Sequence, residues 1–271
     1  MSNSRNPAAE QTDGLTVALG EYDIGWHDAT RSLERARELA RQAKSTGADM
    51  LVLPEMCVTG FTMEADSYAE SSEGPSVKAL SSLARDESLW LVAGVSMRKA
   101  EGRYVNSALV FAPDGRLAAS YDKQRLFGYA QETEVYSPGD AACVVDIAGL
   151  RIGVFICFDL RFPELFREVG PDVDAFVLIA NWPATRQRHW EVLTQARAIE
   201  NQCYMIAVNR TGEGGGLEYV GGSAIFDPWG ERCDHLAADS PLRLGSVSKS
   251  AAERARKAFP LAYAPISRRV K

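Results

Sequence analysis

The stretch that most constrains this chain is LRIGVFICFDLRFPEL, Leu150 to Leu165. Ile152 to Phe158 is an apolar run broken only by Gly153. A β-branched and aromatic run of that length reads as a strand buried on both faces. Polar residues arrive abruptly at Cys157-Phe158-Asp159, and Pro163-Glu164 then open a helical segment, since proline is tolerated in a first turn. A thiol at the carboxyl end of a buried strand, just before a helix, sits where open α/β sheets hold their sites. Unpaired N–H groups and a positive field at a helix start would favour a thiolate and a developing oxyanion. The competing reading is a core cysteine, because free Cys is among the most buried residue types. Position alone does not separate the two.

The rest of the chain supplies the context. Leu15 to Gly20 reads as a short buried strand, Thr30 to Lys44 as an amphipathic helix, and Met50 to Glu55 as a second strand. Ser76 to Asp86 is another amphipathic helix and Leu89 to Val95 a third strand. That alternation predicts a sheet covered by helices. In the middle, Asn106 to Phe111 and Arg116 to Tyr121 flank the turn Pro113-Asp114-Gly115, and Val144 to Ile147 and Arg151 to Cys157 flank Ala148-Gly149. Antiparallel pairs are thus mixed into the sheet. Asp122 to Asp140 has little periodicity, and such a run in a compact domain is usually functional or disordered.

The pattern then repeats: strand Ala175 to Ala180, helix Arg186 to Asn201, strand Tyr204 to Asn209. Gly212 to Gly216 reads as a flexible loop. Ser223 to Phe226 and Arg232 to Leu236 surround Asp227-Pro228-Trp229-Gly230 as a third hairpin. Leu242 to Val247 closes the sheet, Lys249 to Lys257 is a short charged helix, and a tail follows. No linker divides the chain, so residues 15–271 read as a single α/β domain behind a disordered tail, 1–14. The loose likeness of the two halves suggests two sheets.

Composition narrows the function classes. A net charge of −6 argues against a nucleic-acid footprint, and no stretch nears the ~20 apolar residues of a membrane span. The N-terminus lacks the apolar core of a signal peptide. Cys57, Cys143, Cys157, Cys203 and Cys233 are odd in number, without CxxC, suggesting neither a disulfide framework nor a zinc site. A reducing cytoplasm is the simplest setting.

Three reactive side chains end apolar runs: Glu55, Lys123 and Cys157. A carboxylate suits a general base, an ammonium an oxyanion partner, and a thiol a nucleophile. Together they could run acyl transfer without histidine, which is sparse here (His27, His189 and His235), and no GxSxG elbow appears. Taken singly, Glu55 reads as a strand terminator and Lys123 as a solvated loop residue.

LPEM at 53–56, YDKQRLF at 121–127 and ICFDLRFPEL at 156–165 together resemble the nitrilase superfamily of carbon–nitrogen hydrolases. The resemblance runs from about Leu15 to about Val247. It implies a four-layer αββα sandwich of two mixed β-sheets, and a catalytic triad of Glu55, Lys123 and Cys157. It also implies a second glutamate, Glu132, that positions substrate and the base. Ala180 to Gln202 is similar to the omega-amidase branch, whose members hydrolyse the side-chain amide of 2-oxoglutaramate or 2-oxosuccinamate. Asn181 and Trp182 would then sit beside Cys157, and the Phe158 N–H would face the oxyanion.

The resemblance implies a small-molecule amide as partner, no metal or other cofactor, and a homodimer or higher homo-oligomer. Two positions depart from the pattern: Phe158 stands where tyrosine is frequent, and Arg125 where the branch usually has histidine. Arg125, Arg161 and Arg186 are candidates for a substrate's far carboxylate. A nitrilase, an N-carbamoyl-amine hydrolase and a catalytically silent binding protein are the alternatives.

Overall fold

The computed structural model describes residues 14–238 and 242–261. β1 (Gly14–Leu19) leads through α1 (Ala29–Ser45) to β2 (Met50–Val52), then through the one-turn α2 (Ala65–Tyr68) and α3 (Pro75–Asp86) to β3 (Trp90–Arg98). β4 (Tyr104–Phe111) and β5 (Leu117–Asp122) follow as a meander, then α4 (Glu132–Val135). The second half runs β6 (Val144–Ile147), β7 (Leu150–Ile156), a 3-10 turn (Cys157–Arg161), α5 (Pro163–Val169), β8 (Ala175–Ile179), α6 (Gln187–Asn201) and β9 (Tyr204–Val208). β10 (Thr211–Gly214), β11 (Leu217–Val220), β12 (Ala224–Phe226), β13 (His235–Leu236), β14 (Arg243–Ser248) and α7 (Lys249–Ala258) complete it.

Among the described residues the strands form a seven-stranded sheet, β13-β14-β1-β2-β3-β4-β5, and a five-stranded one, β12-β9-β8-β7-β6, with β10-β11 as a separate ribbon. β1, β2 and β3 are mutually parallel, as are β7, β8 and β9. Antiparallel partners flank each trio, so both sheets are mixed.

Side-chain alternation along the strands builds the layers. Leu15, Val17, Leu19, Met50 and Val52 share a core with Ile152, Val154 and Ile156 of the other sheet. Ala18, Leu51 and Leu53 instead meet Ala36, Leu39 and Ala43 of α1 and Leu80 and Leu83 of α3. On the far side Phe155 stacks on Phe166 of α5 at 4.0 Å. The result is the expected αββα order. Each fully buried aliphatic or aromatic side chain contributes about 1.5–3 kcal/mol. α1 begins where the Asp28 carboxylate accepts from the Arg31 N–H, and α3 where Pro75 occupies the first turn.

Several sequence expectations need correction. The strand expected over Met50 to Glu55 stops at Val52, because Pro54 has no N–H to pair and the chain turns at Met56, φ +41°. Gly212 to Gly216 is no flexible loop. It is the hairpin end of β10-β11, turned by Gly215 and Gly216, both at positive φ. The third expected hairpin shrinks to one bridge, Phe226 to Arg232, and His235–Leu236 crosses to pair with β14 in the other sheet. Asp234 explains the crossing: its buried carboxylate accepts from the Ile225 N–H at 2.8 Å and from the Arg232 and Arg243 guanidiniums, pinning both sheets at that point. The aperiodic segment 122–140 holds a 3-10 turn and α4. Of the tail expected over 1–14, only Gly14 is described, and it begins β1; residues 262–271 also lie outside the described residues.

Candidate active site

The site forms where the carboxyl ends of β2, β5, β7 and β8 meet. β7 ends at Ile156, and Cys157 takes φ +45°, a left-handed conformation that non-glycine residues adopt at a strain of roughly 1–3 kcal/mol. Asp159 holds this turn. It is fully buried and accepts from the Ile156 N–H at 3.0 Å, the Tyr121 hydroxyl at 2.8 Å and the Arg125 N–H at 2.9 Å. It thereby ties the end of β5 to the end of β7.

Burial raises the Asp159 carboxyl from its ordinary value to about 6, against the pull of these donors. A carboxyl raised by folding contributes its stabilisation fully below about pH 4 and loses it as pH rises through 6. Unfolding free energy of wild type minus that of Asp159→Asn should therefore fall by about 2 kcal/mol between pH 4 and pH 7. Urea melts of both proteins across that range measure it; a flat difference rules it out.

Glu55 lies just past β2 and is fully buried. Gly94 on β3 makes room for it: a Cβ there would sit 2.5 Å from the Glu55 Cα. Lys123, just past β5, is also fully buried. Its Nζ donates to Glu55 Oε1 at 2.9 Å and to Glu132 Oε1 and Oε2 at 3.0 and 2.9 Å. Glu132 begins α4, and its Oε2 also accepts from the Phe127 N–H at 2.6 Å. Asn106 of β4 donates to both carboxylates, at 2.7 Å to Glu55 and 2.9 Å to Glu132. From the opposite sheet, the Asn181 N–H donates to Glu55 Oε2 at 2.8 Å and its side-chain amide donates to the Glu55 carbonyl. Cys157 Sγ lies 4.0 Å from the Asn181 carbonyl oxygen.

Burial disfavours charge on Lys123, but Glu132 and Glu55 outweigh it and hold the ammonium above the usual lysine range. Burial, then the Glu55 carboxylate, push the Cys157 thiol well up, and Lys123 only partly offsets them. The resting sulfur is therefore a thiol beside a carboxylate, and a nucleophile arises only when that carboxylate takes the proton.

Cys157 opens into a cleft of about 450 Å³, open solvent at its entrance included. Its walls are mainly aromatic, including Phe61, Phe127, Phe158 and Trp182. Two cations face it. Arg161 lies 4.8 Å from the Trp182 ring and donates to His189 Nδ1 at 3.0 Å; Arg186 lies 5.2 Å from the Phe127 ring. Burial and then the like charge of Arg186 lower the Arg161 guanidinium from its ordinary value. Arg125 sits apart from this lining, paired with Glu164 at 3.8 Å and over Phe162 at 5.3 Å. Trp182 is buried, its ring N–H given to the Arg186 carbonyl and its backbone N–H to Asn209. Phe158 lies in the first turn of the 3-10 segment and edges the cleft.

Glu55, Lys123, Glu132 and Asn181 thus share one hydrogen-bonded cluster with Cys157 at its edge. Sequence reasoning missed Asn106, Phe61, Leu217 and Tyr219; a lone Asn early in an apolar strand was the only signal for Asn106. Among the described residues no group of three or more His, Cys, Asp or Glu side chains is placed to hold a metal ion.

A family model described as Carbon-nitrogen hydrolase matches residues 16–255. The chain is 37% identical over 261 residues to Omega-amidase YafV of Escherichia coli K12, covering 91% of this chain and 95% of that one. It is 33% identical over 218 residues to the 2-oxoglutaramate amidase of Bacillus subtilis 168, covering 79% and 83%. Its fold is similar to the crystal structure of XC1258 from Xanthomonas campestris, a CN-hydrolase superfamily protein with an arsenic adduct in its active site. There the TM-score is 0.85 and the identity 32%, covering 91% of this chain and 95% of that one.

Proposed function

The chain belongs to the carbon–nitrogen hydrolase family, and from that premise we propose that it is an omega-amidase, cleaving the terminal amide of a short 2-oxo dicarboxylic acid. The observation that carries this reading is the pair Arg161 and Arg186 on the same cleft as Cys157. Two guanidiniums lining one cleft, with Arg186 close enough to add to the effect of burial on Arg161, favour an anion between them. A substrate with an amide at one end and a carboxylate at the other fits that layout, and the names of the relatives support it. Arg125, already paired with Glu164, drops out of that role.

In the proposed reaction Glu55 takes the Cys157 proton as sulfur attacks the amide carbon. The oxyanion is met by the Lys123 ammonium and the Phe158 N–H. Glu55 returns the proton to the leaving nitrogen, ammonia departs, and a thioester remains on Cys157. Water, deprotonated by Glu55, attacks the thioester; the acid leaves and the thiol is reprotonated. Glu132 and Asn106 hold Glu55 and Lys123 in register for both halves.

The test is ammonia release from 2-oxoglutaramate beside an uncharged aliphatic amide. Wild type should prefer the former, and Arg186→Ala should raise its KM about 10- to 100-fold, the worth of a charge-assisted contact. Equal rates on both amides in wild type, or carbon dioxide release from carbamoyl amines in preference, would reject the reading.

Among the described residues no helix is long and apolar enough to cross a membrane. We assign the protein to a reducing cytoplasm, in keeping with five free cysteines. A homodimer is the assembly assigned; exposed Val192 and Ile199 of α6 and nearby Trp229 offer it an apolar face. Sedimentation as a monomer at micromolar concentration would remove that assignment.

A further inference from the structure

The cleft has one wall that the mechanism does not use. Leu217 and Tyr219, two apart on β11, both face it, while Glu218 and Val220 are exposed. Tyr219 is only 4% exposed, yet its hydroxyl has no hydrogen-bond partner among the described residues. The hydroxyl oxygen is not enclosed by protein; it is open to the cleft that also holds Cys157, where an entering group can accept from it. Burial raises the phenol to about 12, which keeps its proton and makes it a donor. It is the neutral hydroxyl of a lining otherwise made of aromatic and aliphatic side chains, the two arginines, Asn181 and the nucleophile.

Behind the ring stands Arg210, fully buried, its guanidinium 4.5 Å from the ring centre. Arg210 is itself fixed on several sides. Its Nη2 donates to Asp23 Oδ1 at 3.0 Å, to the Ile24 carbonyl at 3.0 Å and to the Glu213 carbonyl at 2.8 Å, and its Nε donates to the Thr211 carbonyl at 3.0 Å. A buried, multiply bonded cation under one face of a ring sets the position of that ring and of the ribbon that carries it.

We propose that Tyr219 is a specificity-determining residue whose hydroxyl donates to the 2-oxo oxygen of the substrate, and that Arg210 is the positioning residue behind it. The inference rests on the 2-oxo amide reading above. It adds that the enzyme recognises the oxo group itself, in addition to the carboxylate and the amide.

The experiment compares 2-oxoglutaramate with the same chain carrying a methylene in place of the 2-oxo carbon, in wild type, Tyr219→Phe, Arg210→Lys and the double variant. In Tyr219→Phe the ratio of kcat/KM, oxo over methylene, should fall about five- to tenfold, the scale of one neutral hydrogen bond, and mainly through KM. Arg210→Lys should lower the same ratio less, and the double variant should match Tyr219→Phe, because Arg210 affects this ratio only by placing the hydroxyl that Tyr219→Phe removes. Wild type preferring the oxo substrate while Tyr219→Phe keeps that preference overturns the inference and leaves the amidase reading standing. A further fall in the double variant overturns the part given to Arg210. Wild type cleaving both compounds at one rate overturns the inference and leaves the amidase reading standing; wild type cleaving neither removes the two together.

Discussion

Cys157→Ala is expected to lower amide turnover by a factor on the order of 10⁴ to 10⁶, the loss seen when a nucleophile acting as part of a unit is removed. The fold should stay intact. The side chain is small and half-buried, and the strained turn that carries it is held by Asp159 through backbone and Tyr121 contacts, which the substitution leaves alone. Alanine at φ +45° is no worse than cysteine there. Ammonia release reads the loss, and mass spectrometry of quenched wild-type reactions should find an acyl group on Cys157 that the variant lacks. Ammonia at the wild-type rate from the alanine variant would end the thioester mechanism.

Lys123→Met should be the most destabilising single change in the site. The ammonium lies between Glu55 and Glu132, and all three are fully buried. Removing it leaves two carboxylates facing one another with only amide donors, and breaking a buried pair in this way costs about 3–5 kcal/mol. The loss should depend on pH in a defined direction. Without the cation one carboxylate must take a proton on folding, so its folded pKa rises above the unfolded value. Such a group stabilises below the unfolded pKa and loses that contribution as pH rises. The gap between wild type and Lys123→Met in urea melts should therefore widen from pH 5 to pH 8. A gap that is constant with pH, or a variant as stable as wild type at pH 8, would show that Lys123 does not balance the two charges. Activity should fall about 10²- to 10³-fold with it, since an oxyanion partner is worth about 2.7–4 kcal/mol of barrier.

The parts of this site that could be read in the sequence are those where a reactive group interrupts an apolar run. Glu55 after Leu51-Val52-Leu53-Pro54, and Cys157 after Ile152 to Ile156, are anomalies that burial makes conspicuous. The helical layers were legible for a related reason: Leu39 and Ala43, or Leu80 and Leu83, repeat at the spacing of one helix face. Glu132 had no such flank and came only with the family resemblance. Asn106 was lost because one amide early in a strand leaves no period to notice. Tyr219 and Arg210 were hidden by the glycines between them, which read as flexibility when the ribbon turn requires them. The crossing of His235–Leu236 to the other sheet depends on Asp234 meeting Arg243, a tertiary pairing that local pattern does not encode.

The groups that would perform the chemistry are divided between the two sheets: Glu55 and Lys123 come from the seven-stranded one, Cys157 and Asn181 from the five-stranded one. The rate constant is therefore a gauge of how the two slabs are seated on each other. A slip of about 1 Å between them can cost on the order of a hundredfold in rate, long before either slab loses a strand. Mild denaturant or a cavity cut at Val17 or Val154 should silence the enzyme while its circular dichroism still looks native, and heat should end activity at the temperature where the seam loosens.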